Sequence, residues 1–492
     1  MMIAPMITNI ARKERLEMWR DGRFRLVSIL LLALLAVALL AGLTRARTLA
    51  HEQQTAQESM REFWVDQGAK NPHSAAHYGI WVFKPTLPLS FVDHGVDDYT
   101  GITTWLEAHR QNEFSRRPAM DRAGVARFGE WTAATVLQLL IPLLIVMLAF
   151  PAFAGERETG TLRQLMALGV PMRTLMLGKA LGLVSALMVV LVPAVLLGAA
   201  VLLLGTGMWG AADASGVATG SASGSAGDHL ARYGLLVVTY LAYFTIVLAF
   251  ALAVSARSRS VRAALLVLLG AWTVTSLVAP RAAADLARHL YATPSSATFQ
   301  AGLQRDIDQG LDGHNPADVR RKAVEAQALQ EYRAVSLDAL PVNFDAIAMQ
   351  ASEEYANQVF DRHFGALYDT YRAQNQLVQW AGAVSPLLAV RSLSMGVAGT
   401  DVEQHRDFAT HAEAYRRGLV KWSNDYLRDN TRTGEWDWKA PPDVWAQYPA
   451  FTYTTPSVSA SLTAQWPAML VLAAWLLIAV VLFVRVPNPR VS

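Results

Sequence analysis

His73 and His77 stand four residues apart, with Asp93 and His94 a short way further along. Two imidazoles at i and i+4 share one face of a helix, where they can hold a transition metal. Asn71-Pro72 before them and Tyr78-Gly79 after them leave room for only a short helix. The plainer reading, surface or packing histidines, is preferred, and no metal is assigned. His51-Glu52-Gln53-Gln54 opens like a zinc-protease helix, but Thr55 stands where the second histidine would be. Gly155 and Gly160 have the spacing of a phosphate loop, yet Thr161 follows in place of the lysine. No G-x-S-x-G elbow occurs. The absence of cysteine excludes disulfides and thiolate metal sites. No catalytic constellation emerges, so the chain is expected to be neither an enzyme nor the direct holder of a cofactor.

The remaining charged pair of interest is Glu156 and Glu158. They are either solvated at the end of a span or paired with arginines, where they would hold the structure in one of two states. They lie in the stretch Phe153 to Pro171. Within it Thr161 and Gln164 have the spacing of a capping box, and Leu162, Leu165 and Met166 share one helical face. Gly169 and Pro171 stop the helix. Apolar runs long enough to cross a bilayer flank this stretch, at 132–153 and 177–204. The pattern predicts a two-turn amphipathic helix across the inner mouth of a membrane hairpin, where a soluble partner can push on two spans.

The elements that position this segment follow from composition. Of the 492 residues 53% are hydrophobic and 17% charged, against about a quarter charged in soluble domains. The net charge of +3 is small for this length, and no basic run is interleaved with stacking aromatics, so nucleic acid is not an expected partner. Residues 1–25 form a basic segment with an apolar minority, suited to the inner membrane surface as an anchor or a connecting helix. Span one is 26–43; it is followed by Thr44-Arg45-Ala46-Arg47 rather than a cleavage site, and reads as a retained signal anchor. An external part occupies 44–131, helical at first and proline-rich later. Span two is 132–153, with Pro142 inside it, and the inner segment is 154–176. Span three, 177–204, carries Gly178, Gly182 and Ala186, small residues that let helices approach closely. A Gly/Ser loop covers 205–232, span four 233–254, and an arginine-rich inner turn 255–262. Span five is 263–280, a second external part 281–465, span six 466–484, and the tail 485–492.

In the second external part Tyr355, Val359, Phe360, Phe364, Leu367, Tyr368 and Tyr371 recur at helical spacing, as do Phe408, Ala412, Tyr415, Leu419, Trp422 and Tyr426. These stripes read as core, with Thr400 and Glu403 as a capping box before the second. The two external parts must dock on each other as one domain. The expected fold is an all-α polytopic membrane protein: six transmembrane helices, a cytoplasmic coupling helix between spans two and three, and a large, mainly helical external domain. The spans hold almost no ionisable residue, which argues against ion coupling through the membrane core.

Gly155-Glu156-Arg157-Glu158-Thr159-Gly160-Thr161-Leu162, with Leu168-Gly169-Val170-Pro171-Met172-Arg173 and Gly178-Lys179, resembles the cytoplasmic coupling segment of ABC-2 type transporter permeases. His77-Tyr78-Gly79, Phe83-Lys84-Pro85, Gly95-Val96-Asp97, Leu340-Pro341-Val342-Asn343 and Ala398-Gly399-Thr400-Asp401 resemble a subgroup with a large uncharacterised external insert. The resemblance implies a non-catalytic exporter subunit in a bacterial inner membrane, with both termini cytoplasmic. A separate ATP-binding subunit would bind ATP and magnesium, and a second copy or a related permease would complete the path. Coupling would fall to Glu156, Glu158, Thr159, Gly160, Thr161, Leu162, Leu165, Met166 and Gly169, and helix packing to Gly178, Gly182 and Ala186. The alternative is a membrane-anchored sensor or assembly scaffold whose external domain binds a partner.

Overall fold

A computed structural model describes residues 3–120, 131–209 and 226–485. Among them six helices are long and apolar enough to cross a membrane: Gly22–Val65, Ala133–Glu158, Met172–Leu204, Gly227–Arg257, Val261–Leu290 and Trp466–Val484. These are spans one to six below. Their outer faces carry large apolar side chains in the open, such as Ile29, Leu196, Leu266 and Leu477. A surface of that kind is stable against lipid and costly against water. The expected Gly/Ser loop at 205–232 lies mostly outside the described residues; helices reach into it as far as Trp209 and from Ala226.

Span one is a single helix of 44 residues, about 66 Å long and roughly twice the depth of a hydrocarbon core. Its far half runs on into the polar domain. There Gln53 Nε2 donates to the Lys84 carbonyl at 2.7 Å, Arg61 to the Tyr448 carbonyl at 2.8 Å, and Trp64 Nε1 to the Trp445 carbonyl at 3.0 Å. At its start Asp21 breaks the chain from an N-terminal helix, Ile3–Arg20, and caps the new helix by accepting from Arg23 N.

Spans two and five are distorted at prolines, and span five runs on through Pro280 to Leu290 rather than ending there. Each proline sits just past a π turn, Val136–Leu140 before Pro142 and Val274–Val278 before Pro280. Proline removes one backbone donor and pushes away the carbonyl four residues back. In lipid every freed carbonyl needs a new donor. Neighbouring side chains donate into both distorted turns: Tyr243 OH to the Gln138 carbonyl four residues before Pro142, Trp272 Nε1 to the Leu139 carbonyl, and Ser385 Oγ to the Thr275 carbonyl five residues before Pro280.

The polar domain is built from both segments that flank the spans. A three-stranded antiparallel sheet, β1 Ile80–Phe83, β2 Thr103–Glu107 and β3 Arg110–Gln111, comes from the first segment. Long helices Phe344–Ala381 and Val402–Asn430 come from the second. The two aromatic stripes bury as core. Phe360 and Phe364 pack with Phe299, while Phe408 and Leu419 pack with Ile80, Leu106 and Trp445. The capping box at Thr400 and Glu403 does not form. Asp401 is the N-cap, accepting from Gln404 N at 2.9 Å, while Thr400 Oγ1 donates to the Asp93 carbonyl and Glu403 pairs with Arg372. A carboxylate one residue later offers a stronger acceptor, so the helix starts in that register.

A 13-residue apolar helix, Pro386–Ala398, packs among the spans rather than in the polar domain. Its Leu387, Ala389 and Val390 are fully buried in the same core as spans two, four and six. At that length it is too short to cross a bilayer.

Candidate functional site

The segment between spans two and three ties together one end of the bundle. The helix Pro151–Glu158 closes span two. Ser255, at the end of span four, accepts from the backbone N–H of Phe153 and Ala154 and donates to the Phe150 carbonyl. Those donors lie in the first turn of the helix that begins at Pro151, where backbone N–H groups have no carbonyl of their own helix to meet. Arg157 reaches across to the Ser258 and Ala256 carbonyls at the C-terminus of span four, where a cation meets the negative end of a helix. Glu158 accepts from the Val261 N–H at the start of span five, at 2.9 Å.

Among the described residues Glu156 pairs with lysines and not with an arginine. Its Oε1 lies 2.7 Å from Lys179 Nζ and 3.4 Å from Lys13 Nζ, and Lys179 Nζ is also 2.6 Å from Glu14 Oε1. The Lys179 side chain is 2% exposed. A lysine on span three is therefore held between carboxylates from the N-terminal helix and from the end of span two. The other oxygen of Glu156, Oε2, is buried with no hydrogen-bond partner among the described residues.

Gly178 and Gly182 form the seat for this arrangement. A Cβ on Gly178 would stand 2.6 Å from Ile10, and one on Gly182 would stand 2.6 Å from Glu14 Cβ. The contacts advance together by four residues in each helix, so the N-terminal helix and span three run in the same direction in close contact. Small residues are what permit this approach. Ala186, one step on, is also buried. The basic N-terminal segment thus does more than place charge at a membrane surface.

The short helix itself spans Thr161–Ala167. The expected capping box at Thr161 and Gln164 is absent: Gly160 is the N-cap, in the left-handed region at φ 77°, and no side chain caps the helix. Thr161 is thereby already inside the first turn, where its hydroxyl meets the Thr159 hydroxyl at 3.0 Å. Thr159 Oγ1 also closes the preceding helix by donating to the Gly155 carbonyl. Gly169, at φ 81°, ends the short helix where only glycine turns without strain. Leu162 is buried, Leu165 and Met166 are half-buried against the bundle, and Leu168 stands 79% exposed.

Two features lay outside the reach of the sequence. Arg391 on the short buried helix and Asp93 from the polar domain enter the bundle through one hydrogen-bonded chain. Arg391 Nε donates to Gln138 Oε1, Gln138 Nε2 to Tyr240 OH, Tyr240 OH meets Ser394 Oγ, and Ser394 Oγ donates to Asp93 Oδ2 at 2.5 Å. Neither charged residue belongs to a span, so counting charges within spans misses both. Arg157 and Lys179 appear in the sequence motif, but their partners are remote in the chain.

In the polar domain His73 and His77 do fall on a short helix, Pro72–Tyr78, capped by Asn71. Asp93 and His94 are not near them; His94 pairs with Arg45 and Asp98. Their companion is His109, at the β2–β3 turn. Burial, helped by the neighbouring imidazoles, lowers the His73 pKa to about 4, and His77 is lowered by burial and by His109. Further along, a cavity of about 620 Å³ opens beside Phe114, Phe299, Tyr368, Tyr371, His405 and Arg416.

Residues 297–454 match a family described as a domain of unknown function (DUF3526). This portion includes the long helix Val402–Asn430 and most of the polar domain's second segment. No curated protein matches the chain.

Proposed function

We propose that the chain is the membrane-spanning permease subunit of an ABC-2 type exporter in a bacterial inner membrane, with both termini in the cytoplasm. A separate subunit would bind ATP and magnesium and hydrolyse the nucleotide; a second copy of the chain or a related permease would complete the path. The observation that carries this reading is the joint around residues 151–168. A short helix with an exposed outer face follows directly on the helix Pro151–Glu158, which Glu156, Arg157, Glu158 and the Ser255 hydroxyl connect to spans three, four and five and to the N-terminal helix. A push on that helix reaches three spans and the N-terminal helix through hydrogen bonds and ion pairs. The unsatisfied Glu156 Oε2 lowers the cost of leaving this arrangement, since a buried acceptor without a donor is unfavourable. Such a joint suits a two-state transmitter.

Leu168→Glu tests the reading at the exposed face. The substitution removes no packed contact, so stability is expected to stay within about 0.5 kcal/mol of the parent. The tagged parent chain is expected to co-purify from its native membrane with an ATP-binding subunit, and the variant to lose it. A parent chain that never retains such a subunit defeats the reading.

The cavity of about 620 Å³ favours a second reading, a membrane-anchored sensor or scaffold whose polar domain binds a partner. Under it, Leu168→Glu leaves every interaction of the chain unchanged.

A further inference from the structure

We propose that His73, His77 and His109 form a binding site for a divalent first-row transition cation of the zinc type, with one coordination position left to water. Each histidine offers one ligand atom, and these atoms lie within 4.8 Å of one another. His73 Nε2 and His77 Nε2 are already 3.1 Å apart. Bonds of about 2.0–2.1 Å in a tetrahedral zinc site place neighbouring nitrogens about 3.3 Å apart. Closing the remaining gap takes a swing of roughly 1.5 Å by an imidazole. His77 and His109 are both exposed enough to make it.

The surrounding groups fix which nitrogens are free. His73 Nδ1 faces Asn424 Oδ1 at 3.4 Å, and the Asn424 amide is oriented by donating to Gln350 Oε1. His109 Nδ1 pairs with Glu353 Oε1, which also accepts from the His109 backbone N–H at 2.7 Å. An acceptor at each Nδ1 puts the ring proton there and leaves Nε2 as the lone pair. That is the usual support of a metal-bound histidine, a carboxylate or amide behind the ring holding its tautomer and direction. Glu353 is itself 2% exposed and held by Arg416, so it is a fixed post rather than a mobile surface acid.

The backbone holds the three rings together before any ion arrives. Ala108 N donates to the Ala76 carbonyl at 3.0 Å, joining the β2–β3 turn to the histidine helix. His109 sits at φ 67°, in the left-handed region, at the turn between β2 and β3. Three imidazoles without carboxylate or thiolate ligands suit zinc, copper or nickel rather than magnesium or calcium. The ligands come from the first polar segment and their supports from the second, so a bound ion would also pin the two segments together.

The test uses the full-length chain in detergent, with an affinity tag that contains no histidine. The chain is stripped with EDTA and titrated with zinc against a chromophoric chelator. One zinc per chain at micromolar concentration or below is expected. His77→Gln and His109→Gln should each abolish that binding, and Glu353→Gln should weaken it by about 10–100-fold as a positioning change. His94→Gln, which alters a histidine paired elsewhere, should retain it. Cobalt replacing zinc gives a d–d spectrum of nitrogen ligation that is lost in H77Q, a readout that does not depend on stability. Absence of stoichiometric zinc in the parent chain, or equal affinity in H77Q and H109Q, overturns the proposal. Neither result depends on whether the chain works with an ATP-binding subunit.

Discussion

Lys179→Met is expected to cost about 3–5 kcal/mol and to free the N-terminal helix from span three. Methionine keeps most of the side-chain stem, so packing against Phe153 changes little. What is lost is the one buried cation between Glu14 and Glu156, both of which contact Nζ through Oε1. The two carboxylates would then face each other in a site largely closed to water. Lys13 lies 3.4 Å from each, but its side chain is half exposed and compensates only in part. Limited trypsin digestion reads the result, since Arg12, Lys13 and Arg15 become cleavable once the helix detaches. The triple variant with Glu14→Gln and Glu156→Gln should recover much of the loss, because removing every charge from a buried cluster is far cheaper than removing one. If Lys179→Met digests like the parent chain, the charge cluster does not hold the helix.

The second large effect is expected at Arg416→Met. This guanidinium is 1% exposed and is shared among Glu413, Glu353, Asn357 and the Glu107 carbonyl, with Phe360 beneath it. Glu413 is held in two parallel bonds, through Nε at 2.8 Å and Nη2 at 2.7 Å, the geometry only arginine supplies. Removing it takes the buried cation from two carboxylates, leaving among the described residues only the His109 ring and backbone N–H for Glu353 and only Arg417 for Glu413, and separates β2 from the two long helices. The polar domain should lose about 3–5 kcal/mol, read by urea denaturation with tryptophan fluorescence. Trp64, Trp422 and Trp445 report directly, since they pack against one another in the same core. A midpoint indistinguishable from that of the parent would show that the buried arginine is dispensable.

Both effects come from charges whose partners are distant in sequence. Glu14 and Lys179 are 165 residues apart, and Arg416 and Glu353 are 63 apart. Periodicity locates helices and says which face is apolar; it says nothing of which helix a charged side chain meets. The same limit applies to the histidines. His73 and His77 are visible as an i, i+4 pair, but the third ring comes from a hairpin turn and its support from a helix 244 residues away. The capping boxes at Thr161 and Thr400 fail for a different reason. Several polar residues compete at a helix start, and the winner depends on where the chain enters. Gly160 wins at one because the chain turns through the left-handed region, and Asp401 at the other because Thr400 is occupied by Asp93.

The sequence by itself determined the six apolar helices, the two aromatic core stripes and the short helix after Gly160. Each of these is a local pattern, set by hydrophobic spacing, by glycine and proline, and by the length a bilayer demands. Tertiary structure alone decided that span one continues into the polar domain and that Pro386–Ala398 inserts among the spans. It alone brought Lys179 between Glu14 and Glu156, and His109 to His73 and His77. Those outcomes depend on which surfaces meet once the chain has folded back on itself. Electrostatic and coordination partners act across a few ångströms of space, whatever their separation along the chain.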